Sequence, residues 1–236
     1  MAIVGNERKR EILAGVGLFG GLSDQDLEGI AAVTTTRKLS SREELFHKGD
    51  QGSQVYVVCT GRLKILTTSM DGDNVVFNTV GPGEVIGEMA LITGAPRNAT
   101  VTAVEPCELL VIDRRDFLAF VRSHPDTAIQ LLVILANRLR GVSELVEDTL
   151  FLNLPPRLAK KLTSYAERYG ESTPQGIRID LKLSQEEWGD LVGTTRESIN
   201  KQMRTWASDG LISVERGYVI IHRMEEMERI ANQILV

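Results

Sequence analysis

The run Gly87-Glu88-Met89-Ala90-Leu91, followed by Ala95-Pro96-Arg97-Asn98-Ala99-Thr100, sets an acid and a base around a short apolar turn. Glycine at position 87 lets backbone approach a ligand closely. Backbone N–H groups near Gly87 and Arg97 can then point into a concave pocket as anion donors. Arg97 can grip a phosphate through two parallel N–H bonds. Glu88 can accept a hydrogen bond from a ribose hydroxyl. A small phosphorylated sugar meets all of these groups at once. A lone charged residue in a turn is normally solvated; the shared spacing is what argues for a site here.

A second chemistry lies near the C-terminus. Ser184 and Glu187 form a capping box that opens a helix through Trp188 and Leu191 to Val192. Gly193 supplies a tight turn, and Thr194 or Thr195 caps a second helix over about 196–208. Ile199, Met203 and Trp206 share its inner face, which leaves Arg196, Glu197, Asn200, Lys201 and Arg204 outside. That outer set suits the major groove of DNA. Arg196 can donate twice to guanine and Glu197 can accept from cytosine N4. Lys201 can reach a base edge or a phosphate, while Ser184 and Thr195 are placed for backbone phosphates. Residues 213–221 form a hairpin turning near Arg216-Gly217, a wing beside the helix-turn-helix.

These residues need scaffolds. Residues 17–39 read as short helices with Ser23 as an N-cap. From Arg42 to Asp113, short Val/Ile/Leu runs alternate with glycine turns, and 55–59, 63–67, 75–80, 99–104 and 109–112 read as strands. Regular short strands imply a closed all-β jelly roll, and Asp71-Gly72 is a hairpin turn. Pro125 opens a long helix to about Phe151. Leu132, Leu135, Leu139, Val142 and Val146 recur on it at the spacing of a coiled-coil seam, which points to a homodimer, with an amphipathic helix lying on its own barrel as the alternative. Leu154-Pro155-Pro156 breaks the chain. A helix over 157–169, a loop over 172–176 and a strand over 177–181 then precede the capping box. The fold class is α+β: a jelly-roll β-barrel sensor domain over 1–124, a dimerisation helix over 125–153 and a winged helix-turn-helix DNA-binding domain over 154–236.

The segment around Glu88 and Arg97 resembles the phosphate-binding cassette of cyclic-nucleotide-binding domains. Val192-Gly193-Thr194-Thr195-Arg196-Glu197-Ser198-Ile199 resembles the recognition motif of the cyclic-AMP receptor protein (CRP/FNR) family of bacterial transcription regulators, and the likeness spans nearly the whole chain. It implies that Glu88 meets the ribose hydroxyl, Arg97 the cyclic phosphate, and Gly87 and Asn98 the phosphate edge. It puts Arg138, Val142 and Ser143 at the ligand's base, and Arg196, Glu197 and Lys201 at base-reading positions. Two positions depart from the family pattern. Asn98 stands where a serine, threonine or alanine is usual, and Val142 replaces a hydroxyl residue. The resemblance implies a homodimer on a two-fold symmetric operator in double-stranded DNA, with RNA polymerase as a further partner. Its effector is cyclic AMP first, with cyclic GMP open; haem, another metabolite or no effector is the alternative.

Bulk properties bound the rest. The chain has 236 residues, 42% hydrophobic and 25% charged, enough for one or two domains with ample core. A net charge of -5 argues against nonspecific coating of nucleic acid, though a local patch suffices for an operator. Acid and base are nearly balanced beyond Leu154. No apolar run reaches bilayer length and the polar segment Met1–Arg10 leads into no signal core, so a cytoplasmic protein without membrane contact is expected. Cys59 and Cys107 sit in apolar runs and read as buried free thiols. His47, His124 and His222 are dispersed, so no metal site is expected. No nucleophile–base constellation points to an enzyme.

Overall fold

A computed structural model describes residues 5–70, 72 and 74–233. The chain divides into two compact units, residues 1–67 with 77–141, and residues 68–76 with 142–236.

The first unit opens with α1 (Asn6–Ala14), a 3-10 turn (Gly17–Phe19) and α2 (Asp24–Ala32), where Ser23 caps α2 by accepting from the Asp26 N–H. Strands β1 (Thr35–Leu39), β2 (Glu44–Phe46), β3 (Gln54–Thr60), β4 (Leu63–Thr68), β5 (Asn74–Val80), β6 (Val85–Ile86), β7 (Thr100–Ala103) and β8 (Cys107–Asp113) follow, interrupted by α3 (Glu88–Thr93). They form two four-stranded antiparallel sheets, β1-β8-β3-β6 and β2-β7-β4-β5. Among the described residues the jelly roll is therefore two sheets face to face.

Alternation along β3 and β8 shows why those runs are almost wholly apolar. Tyr56, Val58, Leu109 and Val111 turn toward the second sheet and join Leu39, Leu63, Val80 and Val101. Val55, Val57, Leu110 and Ile112 turn the other way and meet Leu13, Phe19, Ile30, Phe117 and Leu131 from the helices. A sheet covered on both faces needs no polar side. Helix α4 (Arg114–Ser123) supplies Phe117 to that cover, and α5 (Pro125–Phe151) supplies Leu131 and Ile134.

Several expectations are corrected. Residues 35–39 are strand, where helix was expected, because β-branched Thr35 and Thr36 favour the pleat and pair with β8. Helices α1, α3 and α4 and strands β2 and β6 were not anticipated. Cys107 is buried but Cys59 only half-buried. Asp71 of the expected hairpin turn lies outside the described residues, while Gly72 holds φ 91°, open to glycine without strain.

In the second unit α6 (Leu154–Tyr169) starts on the prolines themselves, since the first helical turn spends no intrahelical N–H there. Strands β9 (Gly170–Thr173), β10 (Gly176–Ile179), β11 (Ile212–Glu215) and β12 (Tyr218–Ile221) form a sheet in the order β11-β12-β10-β9. Residues expected as the loop 172–176 thus begin in a strand. Helices α7 (Gln185–Val192) and α8 (Arg196–Ser208) pack together, and α9 (Met224–Ala231), which was not anticipated, packs on α6.

Candidate functional site

The cassette is built at the seam where β6 passes into α3. Gly87 caps α3 at φ 88°, and a Cβ there would lie 2.5 Å from Arg97 Nη1. Only glycine meets both demands. Glu88 follows as the first helical residue, where a carboxylate is favoured by the helix N-terminus. Arg114, from α4, donates from Nε to the Leu91 carbonyl at 2.9 Å and so clamps the other end of α3. Arg97 is fixed by its backbone: its N–H donates to Asp50 O and its carbonyl accepts from Gly49 N, both at 2.8 Å. The N–H of Arg97 itself is therefore spent inside the protein.

Both charged side chains are buried, Glu88 at 1% and Arg97 at 5% exposure. Arg97 Nη1 donates to Gly87 O at 2.7 Å and Nη2 to Gln54 O at 2.6 Å. Its guanidinium lies 4.2 Å over the Phe46 ring, which stacks on Tyr56. Gly52 is also close, and a Cβ there would stand 3.1 Å from Arg97 Cζ and 2.5 Å from the Ala90 Cβ. Burial pulls the Arg97 guanidinium below its ordinary pKa, with Tyr56 and Glu88 acting against that pull; it stays charged. Two of its five N–H donors serve the carbonyls, and Nε has no hydrogen-bond partner among the described residues. Glu88 Oε1 accepts from Arg138 Nη1 at 2.5 Å, and Arg138 also donates to the Val85 carbonyl. Glu88 Oε2 is buried with no hydrogen-bond partner among the described residues.

Among the expected ligand residues, Gly87, Glu88, Arg97 and Arg138 converge. Asn98 is exposed, and its amide donates to Met89 Sδ at 3.5 Å. Val142 lies one turn beyond Arg138 on the same face of α5, and Ser143 is the next residue. Phe46, Gly52 and Arg114 were missed. Gly52 reads in sequence as one more turn glycine, and Phe46 as one more strand residue. Neither carries a signal until Arg97 is placed against it.

In the second unit the capping box is present. Glu187 N–H donates to Ser184 Oγ at 3.2 Å, and Ser184 N–H donates to Glu187 Oε2 at 2.8 Å. Thr195 Oγ1 accepts from Ser198 N–H at 3.3 Å and caps α8. Gly193 turns at φ 71° between the helices. Gly189 was also missed: a Cβ there would be 2.7 Å from the Thr194 carbonyl, so this glycine sets how closely α7 meets the turn. Ile199, Met203 and Trp206 are buried as expected, while Arg196, Glu197, Lys201 and Arg204 are exposed. Asn200 departs from the expected outer face. It is half-buried, and its Oδ1 is enclosed without a partner. The wing is β11 and β12, turning on Arg216 at φ 53° and Gly217 at φ 91°, the primed turn that fits strand twist.

On α5, Leu132, Leu139, Val142 and Val146 are exposed and Leu135 is half-buried; Ile129, Leu150 and Phe151 extend the apolar surface. Among the described residues no His, Cys, Asp and Glu cluster can hold a metal ion, and no helix is long and apolar enough to cross a membrane.

Residues 36–124 match the cyclic nucleotide-binding domain, and residues 156–230 the Crp-like helix-turn-helix domain. The chain is 29% identical over 219 residues to the CRP-like cAMP-activated global transcriptional regulator of Mycobacterium tuberculosis, covering 93% of this chain and 98% of that protein. It is 29% identical, with the same coverage, to the cyclic AMP receptor protein of Thermus thermophilus. Its fold is similar to that of the c-di-GMP responsive global regulator CLP of Xanthomonas campestris, with a TM-score of 0.77 at 24% identity, over 85% of this chain and 100% of that one.

Proposed function

The chain belongs to the CRP/FNR family of transcription regulators and is not an enzyme, and from that premise we propose that it is a cytoplasmic homodimer gripping operator DNA under control of cyclic AMP. The observation that carries the ligand reading is a pair of orphaned polar atoms. Buried polar atoms are almost always partnered, yet Glu88 Oε2 and Arg97 Nε are buried and are not. One accepts and belongs to an acid; the other donates and belongs to a base. A ribose cyclic phosphate offers the matching hydroxyl and anionic oxygen in one small molecule. Arg138 fits this reading as the residue that holds Oε1 and leaves Oε2 to the sugar. Gly87 and Asn98 line the phosphate edge, while Val142 and Ser143 meet the base. The two 29% identical relatives named for cAMP favour cyclic AMP over cyclic GMP.

Arg196, Glu197 and Lys201 read base edges, with Ser184 and Thr195 at the phosphates and the half-buried Asn200 set back from the groove. The exposed seam on α5 joins two copies, because a contiguous apolar face of this kind marks an interface. RNA polymerase is the further partner that the family suggests. Nucleotide and operator are coupled, so each raises the other's affinity by the same factor.

Calorimetric titration with cyclic AMP and cyclic GMP, with and without operator, tests the reading. One site per chain, tighter for cyclic AMP and tighter still on operator, is expected. No heat with either nucleotide refutes it. A second reading, a regulator with no effector, is favoured by the bonds that already engage Arg97 and Glu88 within the protein. It predicts operator binding that no nucleotide alters.

A further inference from the structure

Met89 is an exposed thioether, 41% accessible, beside the buried Glu88. Its backbone is held in α3, where its carbonyl accepts from Thr93 Oγ1 at 2.8 Å. Its sulfur accepts from Asn98 Nδ2 at 3.5 Å. This contact joins the exposed face of α3 to the residue after Arg97, alongside the bond from Arg97 to the Gly87 carbonyl. Among the described residues the other exposed methionine is Met70, which lies outside the cassette. The two cysteines are poor competitors for an oxidant. Burial pushes Cys59 and Cys107 up to about 11, and the thiol form that results is unreactive. A thioether needs no deprotonation, so its oxidation depends on access alone.

We propose that Met89 is a peroxide-sensitive modification site that governs the cassette's grip on its anionic ligand through Asn98. The oxidant is a hydroperoxide. A lone pair of Sδ attacks the terminal peroxide oxygen; the S–O bond forms as the O–O bond breaks, and the other oxygen leaves as water or an alcohol. Sulfur is oxidised by two electrons and the peroxide reduced by two. The sulfoxide oxygen accepts a hydrogen bond far better than the thioether sulfur it replaces. The Asn98 amide is then held more firmly at residue 89, and the N–H bonded there is lost to the phosphate edge. The consequence for affinity rests on the cyclic-nucleotide reading; the altered contact between Met89 and Asn98 does not.

The test treats full-length protein with hydrogen peroxide and locates sulfoxide by peptide mass spectrometry. The Asn98 side-chain amide is followed by NMR without nucleotide, and cyclic AMP affinity by calorimetry. Oxidised protein is expected to show sulfoxide at Met89, a downfield shift of the Asn98 amide protons, and a ~3–10-fold loss of affinity, the scale of one hydrogen bond. Methionine sulfoxide reductase reverses all of these. Met89→Leu shows neither change on peroxide, whatever its starting affinity, and Met70→Leu shows both. Full Met89 oxidation with an unmoved Asn98 amide overturns the proposal, as does peroxide sensitivity that survives in Met89→Leu or oxidation that spares Met89. If the reduced protein binds no cyclic nucleotide, the ligand reading fails, and the amide shift by itself decides whether Met89 is a modification site.

Discussion

Replacing Arg97 separates what a ligand needs from what the fold needs. From the sequence, Arg97→Ala removes a phosphate contact and leaves the fold intact. The structure changes that expectation. Arg97 donates to the carbonyls of Gly87 and Gln54, and its guanidinium sits on Phe46 at 5% exposure of the residue. A hydrogen bond to a charged group is worth about 1.5–3 kcal/mol, so two lost bonds cost ~3–6 kcal/mol if additive. Relaxation and entry of water into the vacated space reduce the cost, and ~2–4 kcal/mol is the expected value. Against a total of about 5–15 kcal/mol this is a large fraction of stability. Arg97→Lys keeps the charge, but an ammonium does not reproduce the planar fork that serves two carbonyls and a phosphate together. It should lose less stability and nearly as much nucleotide affinity. Urea unfolding, followed with and without saturating cyclic AMP, reads both. Nucleotide at a hundred times its Kd stabilises wild type by about 2.7 kcal/mol and should stabilise neither variant measurably. Arg97→Ala with wild-type stability and an unchanged nucleotide increment would refute the reasoning on both counts.

Gly52→Ala needs no unusual backbone, but its Cβ meets the Ala90 Cβ at 2.5 Å and Arg97 Cζ at 3.1 Å. Overpacking of this kind costs ~1–3 kcal/mol, and nucleotide affinity should fall with stability, as calorimetry and urea unfolding would show together. Arg196→Ala should cost ~1–3 kcal/mol on operator and much less on random DNA; an equal loss on both, by fluorescence anisotropy, would make Arg196 a phosphate contact. His124 gives a pH dependence. Its Nδ1 faces the Phe120 carbonyl at 2.9 Å and its Nε2 faces Asp26 Oδ1 at 3.1 Å, so both nitrogens serve as donors only in the imidazolium. The Phe120 carbonyl first, and then Asp26, raise its pKa above 6.5 against the pull of burial. A raised folded pKa means stability that is complete below 6.5 and lost as pH climbs through the raised value. Wild type should therefore weaken relative to His124→Gln as pH rises above 6.5 through the raised value, measured as urea midpoints at each pH; parallel profiles would show that the contact is idle.

What was legible in the sequence followed local rules. The capping box at Ser184 and Glu187, the left-handed Gly193 and the apolar face of α8 depend on residues within a turn or two of one another. The strands showed because glycine punctuates them. Residues 35–39 did not, because their partner is β8, more than sixty residues away, and nothing nearby announces that pairing. Helix α3 was hidden by its length of six residues, too short for periodicity. At the cassette, residue types were readable and partners were not. Glu88 and Arg97 stood out by spacing, but the bond from Arg138 to Glu88 spans fifty positions and the bond from Arg97 to Gln54 spans forty-three. Asn200 was misplaced for a related reason. Helical periodicity gives a face, and the depth of that face is set by whatever packs beside it.

The charge balance of the cassette narrows what it can hold. Arg97 and Arg138 bring two guanidinium charges and Glu88 one carboxylate, which leaves one positive charge. Asp50 also acts on Arg97, and Arg114 clamps the far end of α3, but both stand exposed where water screens them. Arg97 itself leans on carbonyl dipoles and an aromatic face instead of a carboxylate. These hold a cation in place without cancelling it. A buried surplus of one charge is costly when unmet, and the cost falls most for a ligand that brings one negative charge. A cyclic phosphodiester carries one. A nucleoside monophosphate with an open, doubly ionised phosphate overshoots the balance, and an uncharged nucleoside leaves it unmet. Discrimination between the cyclic and open forms should therefore be electrostatic at its root. It should narrow as pH falls through the second phosphate ionisation near about 6, where the open form sheds its extra charge. Competition titrations of cyclic AMP against AMP across that range would show the gap closing. A gap that does not change with pH would mean that shape, and not charge, selects the ligand.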